Sequence, residues 1–277
     1  MTASWPARLA AYAAASLIAL LFLYPYWWMV LGAFRSTEAV MTEPLRLWPE
    51  SFDLSVLDTI ARVGGAPLWR YAANSVLITT ASTVLAVLVT ALGAYAIVRR
   101  RGHRVFDALR YGFLLTIMYP YMLLVIPVYI VMYKLGLLGS YTGMVLFLAL
   151  GPIQFFLFEQ FFRSIPPEVI EAAIIDGASE WQILFRVVLP MATPIVATVS
   201  IITFLLNWAQ WFPVLVVSRS PDTYTLPVAL LTINGELGTN FQGIMALAVL
   251  TTIPVTIVFL LAQKRVMAGM AEGAVKG

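Results

Sequence analysis

The sequence predicts an all-α, polytopic membrane protein with six transmembrane helices, on three observations. Of its 277 residues, 61% are hydrophobic and only 11% are charged, whereas soluble domains carry about 25% charged residues. Mean hydropathy is accordingly high, at +0.88. Stretches free of Asp, Glu, Lys and Arg run over Leu9–Phe34, Tyr71–Val98, Tyr111–Tyr133, Leu135–Phe158, Val187–Ser218 and Leu237–Gln263. Each reaches the roughly 20 residues that a helix needs to cross a bilayer. Finally, Arg99, Arg100, Arg101 and Arg104 crowd one short connector, and such a cluster sets the orientation of the whole chain.

Trimmed to helix-sized segments within one transmembrane domain over residues 1–277, the spans are expected at 9–34, 71–98, 111–133, 140–162, 190–217 and 242–263. The first run is too long for a removable signal peptide and lacks a small-residue cleavage site, so it reads as a retained span. The Arg-rich connector after the second span belongs in the cytoplasm by the positive-inside rule. Both termini then lie inside, in agreement with Arg8 before the first span and Lys264 and Arg265 after the last. The same alternation makes 35–70, 134–140 and 218–241 periplasmic loops and puts 164–190 in the cytoplasm. The stretch from Ser218 to Gln242 carries Pro221, Pro227, Gly235, Gly238 and Asn240, a turn-rich composition expected of a loop.

Several function classes drop out. Net charge is +3, but the basic residues gather at span ends, where anionic lipid head groups account for them and nucleic acid is not needed. There is no cysteine, and the one histidine, His103, sits inside the Arg-rich loop, so neither thiol chemistry nor a metal site is expected. No lysine among Lys134, Lys264 and Lys276 ends a Gly-rich phosphate loop. An ion-driven carrier usually keeps carboxylates or histidines mid-membrane. The one candidate, Glu159, lies four residues before Arg163 near a span end, where an ion pair explains it. No catalytic constellation converges, so the chain reads as a non-enzymatic part of a larger machine.

One polar segment stands out between the fourth and fifth spans. Pro166 and Pro167 suit a helix's first turn, with Glu168 and Glu171 near the positive end of its dipole. Gly177 fits the left-handed residue that ends such a helix. Ser179 with Gln182 three residues on has the form of a capping box that starts a second helix. The near-absent side chains of Ala172 and Ala173 let another protein's surface approach the first helix closely.

Glu171, Ala172 and Ala173, then Gly177 preceded by Asp176, then Val187, Leu189 and Pro190 resemble the EAA loop of ABC-importer permeases. The family pattern has Ile where this chain has Val187. Nearly the whole chain is similar to the smaller, six-span MalG-like subunit of maltose-type carbohydrate importers. Asn74-Ser75 opens the second span as in that family, residues 126–143 (IPVYIVMYKLGLLGSYTG) match its turn between spans three and four, and 161–179 extend the EAA signature. The closing Gly273, Ala274, Val275, Lys276 and Gly277 are typical of the subunit. The resemblance implies a type I importer permease (MetI-like) fold in a bacterial inner membrane, with the EAA loop as a coupling helix. It implies a second, larger MalF-like permease, a homodimeric MalK-like ATPase that carries the ATP and Mg, and a periplasmic or lipid-anchored binding protein that delivers a sugar. This chain then binds no cofactor itself. Glu171, Ala172, Ala173, Asp176, Gly177, Leu189 and Pro190 are expected to seat in the ATPase, and the 273–277 tail to reach it. Asn234, Gly235, Glu236, Leu237, Gly238, Thr239 and Asn240 are expected to face the binding protein.

Sugar sites combine amides with aromatic faces, and the fifth span offers Asn207, Trp208, Gln210 and Trp211. Asn207, Gln210 and Trp211 fall three or four residues apart, on one face of a continuous helix. Relatives commonly place Asn after the Trp, where this chain has Ala209. Two readings fit equally: a sugar path, or interhelical hydrogen bonding with an aromatic belt. Tyr119 and Gln154 are further candidates. A polyol or glycerol-3-phosphate importer of the same architecture is the nearest alternative, and an ion-driven carrier the more remote one.

Overall fold

The computed structural model describes residues 5–46, 48–63, 65–149, 151–236 and 240–274. Two compact units divide them: residues 5–70 with 229–254, and residues 71–228 with 255–274.

In the first unit, α1 (Trp5–Gly32) exposes nearly its whole apolar surface, burying only Leu31 and Gly32. Such a helix finds its solvent in lipid. Gly32 is there for space, since a Cβ would strike the Met245 sulfur. The following loop is built, not slack. Ser36 caps α2 (Thr37–Thr42) by accepting the Ala39 N–H. The buried Arg35 guanidinium donates to the carbonyls of Ala39, Glu43 and Arg46 at 2.6, 2.8 and 2.8 Å. Backbone acceptors left over at a helix end are thereby satisfied by one side chain. α3 (Val56–Ala61) leads into a two-stranded antiparallel hairpin, β1 (Arg62–Val63) with β2 (Ala66–Pro67), in the register Arg62↔Pro67. This small hairpin is the one departure from helix among the described elements.

The second unit is built on α4 (Leu68–Arg99), a 32-residue helix. Its buried face reads Ser75, Thr79, Ser82, Ala86, Thr90 and Ala94. In a bilayer small residues of this kind let helices approach closely, because lipid offers no hydrophobic penalty to drive them together. After the Arg-rich turn come α5 (Arg104–Met118) and α6 (Tyr121–Lys134), bent by 119° across Tyr119–Pro120. α7 (Tyr141–Leu148) and α8 (Pro152–Ser164) are bent by 48°. α9 (Pro167–Ile175) is short, and α10 (Glu180–Met191) meets α11 (Thr193–Trp208) at 75°. α12 (Phe212–Val217), a 3₁₀ turn at Pro221–Thr223, α13 (Leu226–Glu236) and α14 (Phe241–Ala274) complete the chain.

Among the described residues, three helices are therefore long and apolar enough to cross a membrane unbroken, and up to six spans result if each bent pair counts as one. The sequence expected continuous third, fourth and fifth spans, and the structure breaks all three. Proline explains each break. Pro120, Pro152, Pro190 and Pro194 lie at or beside the bends, where a missing N–H and a ring clash prevent the helix from running through. The stretch expected as loop over 218–241 also differs, since α13 occupies much of it and buries Leu226, Val228 and Ala229. Its prolines fall before the helix and in its first turn, where proline is tolerated.

Turns in the second unit follow from local chemistry. Gly136 takes φ +68°, its N–H bonds Tyr133 O, and Leu137 N–H bonds Met132 O. This is the paired bond pattern that closes a helix on a left-handed residue. Ser140 then caps α7 by accepting the Gly143 N–H at 3.0 Å.

Candidate functional site

The polar segment between α8 and α10 folds as a helix, a tight turn and a helix. Pro166 and Pro167 stand at its start and Glu168 in the first turn of α9. Gly177 ends the helix with φ +77°. Its N–H bonds Ile174 O and the Ala178 N–H bonds Ala173 O, both at 3.0 Å, so the orphan carbonyls of the last turn are satisfied. Ser179 and Gln182 form a complete capping box: the Ser179 N–H bonds Gln182 Oε1 at 2.7 Å and the Gln182 N–H bonds Ser179 Oγ at 3.4 Å. Residues Ile183–Val188 then widen into a π-helical turn ahead of Leu189-Pro190. Pro190 has no N–H to give the preceding turn, so the widened spacing costs little there.

Two contacts fix this segment to the ends of the membrane helices, and a third ties two of those helices together. The first is apolar: Ala173, Ile183, Leu184 and Val188 share one buried cluster with Ala91 and Ala94 of α4 and with Phe155, Phe158 and Phe162 of α8. The second is ionic. Arg99 Nη2 meets Glu180 Oε1 at 2.7 Å and Arg99 Nε donates to Oε2 at 3.2 Å, while the Tyr95 hydroxyl donates to Oε2 at 3.0 Å. The third lies at the end of α8, where Glu159, 2% exposed, takes Arg110 at 2.5 Å and Arg163 at 2.6 Å on the same oxygen. The expected Glu159–Arg163 pair is present, and Arg110 is an additional partner. A buried carboxylate is stable as an ion only with such company.

The expectation for Ala173 needs correction. Its side chain is buried in the cluster, so it packs α9 onto the spans and offers nothing outward. Ala172 is exposed, and the outward apolar groups are Ile174 and Ile175, the latter 84% exposed. On the next limb Trp181 and Phe185 are exposed and stacked, with centroids 6.0 Å apart. Glu171 lies on a cleft of about 490 Å³ behind α9 that Arg99, Arg101 and Arg163 also line. An exposed apolar knob on a short helix, held rigidly to the helix ends beneath it, suits a docking element.

Comparison with known proteins gives the family. Residues 89–272 match the family described as "Binding-protein-dependent transport system inner membrane component". The chain belongs to this family. As a permease it resembles the arabinooligosaccharides transport system permease protein AraQ of Halalkalibacterium halodurans, 32% identical over 94% of this chain and 93% of the relative. The lactose transport system permease protein LacG of Rhizobium radiobacter is 31% identical over 96% and 95%. Among solved structures, a chain of a bacterial ABC transporter involved in the import of the acidic polysaccharide alginate superposes with a TM-score of 0.76 at 28% identity, covering 95% of this chain and 99% of that one. The permease is thus a multi-pass component of an ABC importer with the MetI-like fold and carries no ATPase activity of its own, hydrolysis in such importers being the work of separate subunits.

The permease's other candidate residues are dispersed. Asn207 is buried and its Nδ2 donates to Ser82 Oγ at 3.0 Å, an interhelical bond between α11 and α4. Trp208 is buried and stacks on Phe204. α11 ends at Trp208, so Gln210 and Trp211 lie in the break before α12, and the single helical face expected for Asn207, Gln210 and Trp211 does not exist. Pro213, which has no N–H and whose ring opposes the carbonyl of residue 209, accounts for the break. Tyr119 is exposed at the α5–α6 bend, and Gln154 is buried in the first turn of α8. Of the expected binding-protein segment, residues 234–236 end α13, 237–239 lie outside the described residues, and Asn240 caps α14 by accepting the Gly243 N–H at 2.8 Å. In the tail, Gly273 and Ala274 end α14, and 275–277 lie outside the described residues.

Asn74 and Ser75, noted in the sequence only for their likeness to the family, have a clear task. Asn74 Nδ2 donates to the carbonyls of Asp222 and Tyr224, each at 2.9 Å, and its Oδ1 accepts the Tyr141 hydroxyl at 2.9 Å. Ser75 Oγ accepts the Leu226 N–H at 2.8 Å. Sequence reasoning used Arg99 for orientation alone and missed Glu180, Tyr95 and Arg110; the one available signal was that a charge at a span end seeks a partner.

Proposed function

We propose that the chain is the smaller, MalG-like permease subunit of a bacterial ATP-driven carbohydrate importer, lying in the inner membrane with both termini and the 164–190 segment in the cytoplasm. It forms half of the pathway beside a larger MalF-like permease, receives sugar from a periplasmic or lipid-anchored binding protein, and is driven by a homodimeric MalK-like ATPase that holds ATP and Mg. The observation that carries this reading is the α9–turn–α10 element, with Ile174 and Ile175 outward and Ala173 locked inward. Its geometry suits a lever that a closing ATPase dimer pushes. Glu171, Ala172, Asp176 and Gly177 form the contact and turn, and Leu189 and Pro190 pass the motion into the fifth span. The 273–277 tail adds a second ATPase contact, and residues 234–240 touch the binding protein.

Carbohydrate cargo is supported by the relatives, whose names specify arabinooligosaccharides and lactose. A neutral cargo is favoured over a phosphorylated polyol because the charge-free runs of the six spans offer no Arg or Lys to a phosphate. Near the Asn207–Ser82 bond, the hydroxyls of Thr203 and Thr83 are buried without a hydrogen-bond partner. Unpaired buried hydroxyls are costly at about 1–3 kcal/mol each, and a polar seam that opens to a sugar would put them to use.

Affinity purification of the chain in mild detergent tests the assembly. A second permease and an ATPase should co-purify in stoichiometric amounts, and uptake should follow ATP hydrolysis. A chain that came out alone and moved solute without ATP would overturn the proposal.

A further inference from the structure

A groove of about 670 Å³ runs along α5, apart from the coupling segment described above. Its floor is one stripe of that helix: Val105, Ala108, Leu109, Gly112, Phe113 and Thr116. The spacing of three and four residues keeps all six on one face. α6 closes the opposite wall with Leu124 and Val128, folded back by the 119° bend. Gly112 sets the depth, because a Cβ there meets nothing within 4 Å. The stripe runs over twelve residues, Val105 to Thr116, about 16 Å from first to last. One leaflet of a hydrocarbon core is about 15 Å deep.

The groove is apolar along its length and electropositive at one end. Arg104 immediately precedes Val105. It is exposed and makes no ion pair among the described residues. Asp107 is the only carboxylate on α5. The charge therefore stays positive where the stripe meets the membrane surface, while the apolar channel extends from it by one leaflet's depth. A ligand that matches both parts has an anionic head and a single-leaflet hydrocarbon chain.

We propose that this groove is a binding site for one acyl chain of an anionic phospholipid, with its phosphate held by Arg104. The lipid belongs to the leaflet on the side of the Arg-rich turn. By filling the concavity it braces the α5–α6 bend, and its head group lies beside the turn whose first residue, Arg99, holds Glu180. Basic residues near the surface attract anionic head groups, and the groove adds selectivity for position.

The test uses the full chain, purified in mild detergent with the subunits it retains and exchanged into nanodiscs of phosphatidylcholine with phosphatidylglycerol of the same chain length. Native mass spectra should show one retained phosphatidylglycerol, favoured at least tenfold over phosphatidylcholine. Gly112→Leu, whose Cβ enters open space, fills the groove and should lower retention at least tenfold, as should Arg104→Ser. Co-purification of the other subunits, unchanged in both variants, shows that each still folds. A photoreactive residue at Leu109 should acquire the mass of a lipid. Equal retention in all variants, equal retention of both lipids, or a crosslink from Leu109 to another protein chain would overturn the proposal.

Discussion

Arg99 and Glu180, 81 positions apart, meet through two nitrogen–oxygen contacts, of 2.7 and 3.2 Å, that join the end of the second span to the first turn of α10. The pair is partly open to solvent, with side-chain exposures of 25% and 57%. Screening keeps its contribution to stability within about 0.2–1 kcal/mol. Its larger consequence is positional, because a two-point guanidinium–carboxylate contact fixes direction as well as distance. Glu180→Gln should leave membrane levels unchanged and lower sugar uptake several-fold. Arg99→Glu combined with Glu180→Arg should recover part of it. Uptake that is indifferent to all three variants would remove the pair from coupling.

Gly177 invites a sharper test. Its φ of +77° costs a side-chain-bearing residue about 1–2 kcal/mol, yet a Cβ there meets no neighbour. Replacement by Val should therefore insert normally and strain only the turn. ATP hydrolysis should become uncoupled from uptake, whereas Gly177→Asn, tolerant of the left-handed region, should keep most activity. Simultaneous measurement of ATPase and uptake in vesicles decides the matter, and normal uptake by Gly177→Val would sink the docking-turn assignment.

Glu159 governs stability more than coupling. Removing its charge leaves Arg110 and Arg163 facing a buried amide, and breaking a buried ion pair costs about 3–5 kcal/mol. Glu159→Gln should lower the thermal aggregation temperature in detergent clearly. Arg163→Met should lower it less, since Arg110 still engages the carboxylate. Equal thermal behaviour of Glu159→Gln and wild type would contradict the buried triad.

Acid should loosen the loop after α1. The hydrogen bond from Arg46 holds the Glu43 carboxyl below its usual range, and hydrogen bonds from Ser55 do the same for Asp53. A depressed folded-state pKa gives stability that is present above the unfolded value and lost as pH falls through the folded one. Amide exchange over residues 36–53, corrected for its intrinsic pH dependence, should hold steady down to about pH 5 and rise below about pH 4. Protection that persisted in acid would show that Arg35 and its three carbonyl acceptors suffice alone.

What the sequence discloses here follows the range of the interaction. Gly177, Ser179 and Gln182 act within six residues, so residue type and spacing were enough to place the turn and the cap. Arg110 with Glu159, Arg99 with Glu180, and Asn74 with Asp222 bridge 49, 81 and 148 positions. No local pattern encodes such partners. The broken spans are an intermediate case. Pro120, Pro152 and Pro194 were visible, but hydropathy averages over a window longer than a helix break, and a bent span is as apolar as a straight one. Ala173 misled because a small residue in an exposed helix permits close approach on either side; only the position of α8 tells which side is taken.

α4 contains no proline and runs unbroken for 32 residues, about 48 Å. Asn74 and Ser75 clamp the backbone at 222–226 near one end, and Tyr95 and Arg99 hold Glu180 at the other. The two grips stand about 38 Å apart on a rod with no internal joint. A rigid rod of this kind cannot absorb displacement along its length. Whatever tilts or shifts it at Glu180 is delivered, undiminished, to the far end of the second unit.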